Sequence, residues 1–270
     1  MPRMQYVFLL VLLTPATALA AGHVFNANFL VLTPERGSED QTEAYAQQVL
    51  SQAEKYRKEI AEEWLGTELP EGVGRTHINV SFSDSEDRGL TWPDDGPRRT
   101  LHALYLTTSP DRALGNTLKH EMCHVVFATR FPLDKRLPTW LEEGIASRYD
   151  DDQRSRSRRQ MARWWEQTGN WPTIERVLDA KRLPATDRVG YTVAASLTEF
   201  LLSRGDKTTL LGFAQAARTD LAGALKIHYR IRSVADLQAE WQTWLRHQTQ
   251  GAQVATTTQD RLGSRAKAGR

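Results

Sequence analysis

Apolar residues recur at two periods along this 270-residue chain, and the change from one to the other marks out its organisation. Val24-Phe25-Asn26-Ala27-Asn28-Phe29-Leu30-Val31-Leu32 reads as a strand stopped by Thr33-Pro34. From Glu39 to Leu65, Ala44, Tyr45, Val49, Ala53, Tyr56, Ile60 and Trp64 return at helical spacing, predicting one long amphipathic helix that ends at Gly66. Ile78 to Phe82 and Leu101 to Leu106 predict two further strands, with a turn-rich loop over Ser83 to Pro97 between them. Ser109-Pro110 then supplies an N-cap and a first-turn proline for a helix whose Ala113, Leu114, Leu118, Val125, Val126 and Phe127 form a surface to bury. Beyond it the pattern is helical. One helix is expected to run from Glu143 through Trp164-Trp165, and a new element starts at Trp171-Pro172-Thr173. Others cover about Tyr191 to Arg204, ending at Gly205, and Thr208 to Arg218; Ser233 caps a last one through Trp241, Trp244 and Leu245. The expected class is α+β, a small mixed sheet followed by a mostly helical C-terminal half. No internal repeat is present.

The first residues have another character. Met1-Pro2-Arg3-Met4 precedes an apolar core from Tyr6 to Leu13 and then Thr14-Pro15-Ala16-Thr17-Ala18-Leu19-Ala20. A short basic start, an apolar run too short for a bilayer and small residues at Ala18 and Ala20 predict a secretory signal peptide cleaved after Ala20; a membrane anchor is the alternative. Residues 21 to 248 would then be one domain, with a sheet-containing half over 21 to 130 and a helical half over 131 to 248. Residues 249 to 270 lack apolar periodicity and are expected to be a disordered tail. Export to a periplasm or to the outside implies an oxidising compartment, yet Cys123 is the single cysteine, so no internal disulfide can form. Cys123 is expected to be a small buried filler, with a metal ligand or reactive thiol as the alternative.

Net charge is +2 for the full chain, and residues 1 to 20 remove only Arg3. The tail from His247 carries four basic residues and one acidic, which leaves the folded body near −2. That argues against a nucleic-acid partner and against an anionic membrane surface, and no stable membrane insertion is expected after cleavage. Arg154, Arg156, Arg158 and Arg159 follow Asp150-Asp151-Asp152 and read as a solvated, charge-balanced helix face, with a functional basic patch as the alternative.

The chemistry concentrates in His120-Glu121-Met122-Cys123-His124 and, after eighteen intervening residues, Glu143 within Pro138-Thr139-Trp140-Leu141-Glu142-Glu143-Gly144-Ile145-Ala146. Residues four apart lie one turn above each other on a helix, so His120 and His124 can share one metal ion, while Glu121 is rotated beside it, where a general base belongs. Two imidazoles and a carboxylate with an open fourth position are the inventory of a catalytic zinc site, one Zn2+ per chain. The bland alternative is two satisfied core histidines. Glu142 and Glu143 are both candidates for the third ligand; Glu143 has small Ala146 and Ser147 at i+3 and i+4, whereas Glu142 has Ile145 at i+3. Trp140 and Leu141 read as packing residues.

The two motifs together resemble those of gluzincin zinc peptidases, the group that includes thermolysin and aminopeptidase N, and the wider likeness is to the peptidase MA-like family over roughly residues 23 to 246. The resemblance implies a zincin-like fold with His120, His124 and Glu143 as zinc ligands, the ligand glutamate being the one directly before the glycine. Glu142 then becomes solvated or supports the ligands from outside. It also implies that an edge strand just before the zinc helix pairs with extended substrate. Leu101 to Leu106 is assigned that role, the alternative being an ordinary strand with His102 facing solvent. Where thermolysin-like enzymes carry an aspartate that orients a histidine, this chain has Ser147, so Ser147, Glu142 or Asp150 is left to supply that hydrogen bond.

By the same resemblance, a zinc-activated water attacks a peptide carbonyl with Glu121 as general base, and Tyr191 in Gly190-Tyr191-Thr192-Val193-Ala194-Ala195-Ser196 stabilises the oxyanion. The alternative for Tyr191 is a core residue with its hydroxyl at the surface, and His228 is a weaker candidate for the same role. The implied activity is an exported metallopeptidase acting on peptide or protein substrates, as an endopeptidase in preference to an aminopeptidase. A catalytically weak zinc-binding module of the cell envelope is the competing class. The oligomeric state is left open.

Overall fold

Alternating apolar and polar positions pair into a five-stranded mixed sheet in the computed structural model, which describes residues 22–93 and 101–248. The strands are β1 (Gly22–Phe25), β2 (Phe29–Thr33), β3 (Thr76–Phe82), β4 (Arg88–Trp92) and β5 (His102–Thr108), in the spatial order β1-β2-β3-β5-β4. β2, β3 and β5 run parallel; β1 and β4 close the two sides antiparallel. Register places Val31, Ile78 and Leu104 side by side on one face, all fully buried. On the opposite face Leu90, Trp92 and Tyr105 are exposed. Only the first face therefore belongs to the core, the one-sided burial expected where helices cover a single side.

Two helices cover that face. α1 (Glu39–Leu65) matches the predicted span and buries Tyr45, Ala46, Val49, Ala53, Ile60 and Trp64. Its start is fixed by a capping box between Ser38 and Gln41, and its end by Gly66 in the left-handed region (φ 72°). α2 (Asn116–Arg130) packs beside α1 and against β4 and β5, and it is buried on nearly all sides. The expected start at Ser109-Pro110 is corrected: Ser109 accepts from the Ala113 amide in a short turn, and Gly115, too extended to continue it, resets the axis so that α2 begins at Asn116.

Three other expectations change. Val24 to Leu32 is a hairpin, because the Asn26 side chain accepts from the Asn28 and Phe29 amides and turns the chain between β1 and β2. The loop expected over Ser83 to Pro97 contains β4, and β4, not the predicted Leu101 to Leu106 strand, is the outermost strand beside α2. β5 lies between β3 and β4, and His102 is fully buried, its Nε2 3.3 Å from Thr129 Oγ1.

The helix expected through Trp164-Trp165 is interrupted. α3 (Thr139–Ala146) gives way to a tight turn over Ser147–Tyr149, and α4 (Asp152–Thr168) starts afresh with Asp151 capping the Arg154 amide. After α5 (Glu175–Leu178) come α6 (Arg188–Leu202), α7 (Lys207–Ala217), α8 (Leu221–Tyr229) and α9 over 234–248. α8 was not expected; Asp220 caps it through the Gly223 amide. Trp165, Trp171 and Trp241 meet at centroid distances of 5.9–6.3 Å and, with Trp140 against Phe213, fill the helical core. Trp140 and Leu141 are packing residues, as expected, and Cys123 is a buried free thiol. The element expected from Trp171 has its helix at Glu175–Leu178, and the helices expected to end near Arg204 and Arg218 end at Leu202 and Ala217. The expected signal peptide over 1–20 and tail over 249–270 lie outside the described residues. Among the described residues no helix is long and apolar enough to cross a membrane.

Candidate metal centre

α2 and α3 bring three ligand atoms to one point. His120 Nε2 lies 3.7 Å and His124 Nε2 3.6 Å from Glu143 Oε2, and the ligand atoms of the three residues lie within 4.8 Å of one another. These separations exceed hydrogen bonds, and Glu143 Oε2 is a buried oxygen with no hydrogen-bond partner. A tetrahedral zinc with bonds of about 2.0–2.2 Å would set its ligand atoms roughly 3.3–3.5 Å apart. The donor set thus fits a zinc ion, and the two histidine–Glu143 separations match its spacing to within a few tenths of an ångström.

Each histidine is aimed by its other nitrogen. Asp150 Oδ1 is 3.0 Å from His120 Nδ1, and Glu142 Oε1 is 2.9 Å from His124 Nδ1. A carboxylate only accepts, so both Nδ1 atoms carry a proton and both Nε2 atoms are turned toward Glu143. The position left open between Ser147, Glu142 and Asp150 is therefore filled twice, by Asp150 for one histidine and Glu142 for the other. Ser147 Oγ is buried without a hydrogen bond and orients neither.

Asp150 is itself held. Arg158 donates to its Oδ2 at 2.6 Å and Arg154 to its Oδ1 at 3.2 Å; Arg158 also reaches the Ser147 carbonyl. The expectation of a wholly solvated arginine face is corrected for these two residues. Arg154 extends the network to the carbonyl of Asp87 at 2.6 Å, at the root of β4.

Electrostatics follow from this crowding of carboxylates. Burial alone would lower the affinity of the His120 ring for a proton, but Asp150 and Glu143 outweigh it and push its pKa up to about 9 in the metal-free chain. For His124 burial is likewise outweighed, chiefly by Glu143 and Glu142, and its pKa is raised. Glu143 and Asp150, which burial would raise, are held well below the usual carboxylate range, the first mainly by His124 and His120 and the second by His120 and Arg158. The site is built for positive charge.

Gly144, beside the ligand glutamate, sets the depth of α3. A β-carbon there would fall 2.5 Å from the Ala194 carbonyl oxygen, so glycine is what allows α3 to lie against α6. The small residues expected to permit helix approach were Ala146 and Ser147; Gly144 is a further one, tight against Thr198 and the Ala194 carbonyl.

His120, His124 and Glu143 line a cleft of about 520 Å³ together with Glu121, Gly89, Thr91, Trp92, Arg136, Leu137, Leu183 and Tyr191. Glu121 is buried, and its Oε2 accepts from Thr91 Oγ1 at 2.7 Å. Tyr191 reaches the Leu183 carbonyl at 3.4 Å, and burial, reinforced by Glu143, Glu121 and Asp150, raises its pKa and keeps it a neutral donor. His228 is remote from this cleft, packed against Gly212 and Phe213 between α7 and α8.

Neither a protein-family model nor a curated protein matches the chain. Function has to be read from the site. Of its residues, sequence reasoning missed Thr91, Gly89, Asp87, Arg154 and Arg158. The first three sit in a polar stretch that reads as loop, and the arginines carry no sign of which faces inward.

Proposed function

We propose that the protein is a zinc-dependent hydrolase of peptide bonds, an exported metallopeptidase of gluzincin type that acts as an endopeptidase. The observation that carries this reading is a buried carboxylate, Glu121, in the same cleft as three convergent ligand atoms but not one of them. A purely structural zinc site closes its coordination with four protein ligands and has no use for such a group.

His120, His124 and Glu143 would hold the ion. When bound, zinc supplies Lewis acidity, polarising a carbonyl and lowering the pKa of water to about 7. Glu121 accepts the proton of the attacking water and returns it to the leaving amine, so one carboxylate serves both transfers. Tyr191 donates a hydrogen bond to the carbonyl oxygen as it gains charge. β4, outermost in the sheet and on the wall of the cleft, offers backbone donors and acceptors to an extended chain, which favours peptides over small esters.

The test is metal analysis joined to cleavage of an unstructured protein by wild type and Glu121→Gln. One zinc per chain is expected in both, with cleavage by wild type alone. Equal cleavage by the two removes the general-base role, and no bound metal after purification with excess zinc removes the site. A catalytically weak binding module would bind zinc and cleave nothing in either form.

A further inference from the structure

β4 turns its inward positions to Glu121. Along the strand Arg88, Leu90 and Trp92 are exposed, while Gly89 and Thr91 face α2. The inward positions of a strand laid over a buried helix ordinarily carry apolar side chains; here they are a hydrogen atom and a hydroxyl. Thr91 Oγ1 lies 2.7 Å from Glu121 Oε2 and 3.1 Å from the Glu121 carbonyl oxygen. A hydroxyl has one proton, and the closer oxygen, Oε2 at 2.7 Å, takes it.

Gly89 has no positive φ, so its backbone gives no reason for glycine. Its neighbour does. A β-carbon at 89 would fall 2.2 Å from Cγ, 2.6 Å from Cδ and 2.4 Å from Oε1 of Glu121. The terminal torsion of a glutamate is broad and roughly two-fold when nothing restrains it. Here one oxygen is held by Thr91 and the other occupies the space that Gly89 leaves.

We infer that β4 is a positioning element for the Glu121 carboxylate, Thr91 fixing its rotation through Oε2 and Gly89 giving room for Oε1, the oxygen left to take the water proton. The inference rests on the hydrolase reading. It makes one strand responsible for two alignments, that of the peptide backbone and that of the base.

The zinc-loaded full chain tests it through Thr91→Val, Thr91→Ser and Gly89→Ala. Thr91→Val should keep one zinc and an unchanged KM while kcat falls about tenfold to hundredfold, the range that a misplaced catalytic group of about 1 Å costs. Thr91→Ser, which restores the donor, should return kcat to within a few-fold of wild type. Gly89→Ala should lower kcat with zinc retained, and it keeps the test open should the valine variant not fold. A thermal-melt cycle of Thr91→Val against Glu121→Ala reads the contact without turnover, and a non-additive shift is expected. Additive shifts, a wild-type kcat in Thr91→Val, or a loss that serine does not restore overturns the positioning role and leaves the hydrolase reading standing. A wild type that binds zinc and cleaves nothing removes that reading, and the inference with it.

Discussion

A β-carbon on Gly144 would lie 2.0 Å from the hydroxyl oxygen of Thr198, so the residue next to Glu143 is a glycine because α6 passes there. Gly144→Ala should therefore force α3 outward and carry Glu143 with it. Overpacking of this kind costs about 1–3 kcal/mol, and the expected result is that loss in denaturant unfolding together with weaker zinc binding. Adding Thr198→Ala should restore part of both, since the Ala194 carbonyl, 2.5 Å from the same point, remains. Wild-type zinc affinity in the single variant would show that α3 is not set by this contact.

Asp150 and Glu142 orient one histidine each, but only Asp150 is also the counter-charge of Arg154 and Arg158. Asp150→Asn and Glu142→Gln should each lower zinc affinity about tenfold to hundredfold by chelator competition, the usual cost of losing a partner outside the ligand shell. Asp150→Asn should in addition lower the melting temperature of the metal-free protein. Equal melting temperatures for the two variants would speak against the arginine network as a structural tie.

Zinc should stabilise the fold through Glu143. At free zinc a hundredfold above its dissociation constant, linkage predicts about 2.7 kcal/mol of added stability for the wild type. Glu143→Ala should abolish the zinc-dependent rise in melting temperature, and an undiminished rise would move the third ligand elsewhere.

Acid should act through Asp87. Burial would raise its pKa, but hydrogen bonds from Thr117 and Thr108, with Arg154 and Arg112 nearby, hold it below the ordinary aspartate value of 3.8. A carboxyl group depressed in the folded state stabilises the protein above its unfolded pKa, and that contribution is lost as pH falls below about 3.8. In metal-free protein the stability advantage of wild type over Asp87→Asn should be constant near neutrality and shrink as pH drops through that region. An advantage independent of pH would assign the role of Asp87 to packing.

α1 was legible end to end because its apolar stripe, Ser38 and Gly66 all point to the same limits. The spacing of His120, His124 and Glu143 was legible because helix geometry converts sequence distance into direction. β4 was not, because its inward residues, Gly89 and Thr91, touch Glu121 rather than fill the core, so the apolar alternation that would announce a strand is missing. Nor was the break between α3 and α4, where no proline or glycine stands. Asp150 is drawn into an extended conformation (ψ 157°) by His120 and Arg158, partners that only the folded chain brings near.

His120, His124, Glu142, Glu143 and Asp150 all come from one stretch of thirty-one residues, 120 to 150, folded as two helices and a turn. Joining them closes only short loops, and loop-closure entropy grows with the logarithm of length, about 0.6 kcal/mol for each doubling. The contact of Thr91 with Glu121 likewise spans thirty residues, as many as that of His120 with Asp150, so the strand that holds Glu121 closes a loop of the same length. By chain entropy alone neither contact has a lead over the other, and the histidine pair and the Glu121 carboxylate are tied into the fold at the same cost.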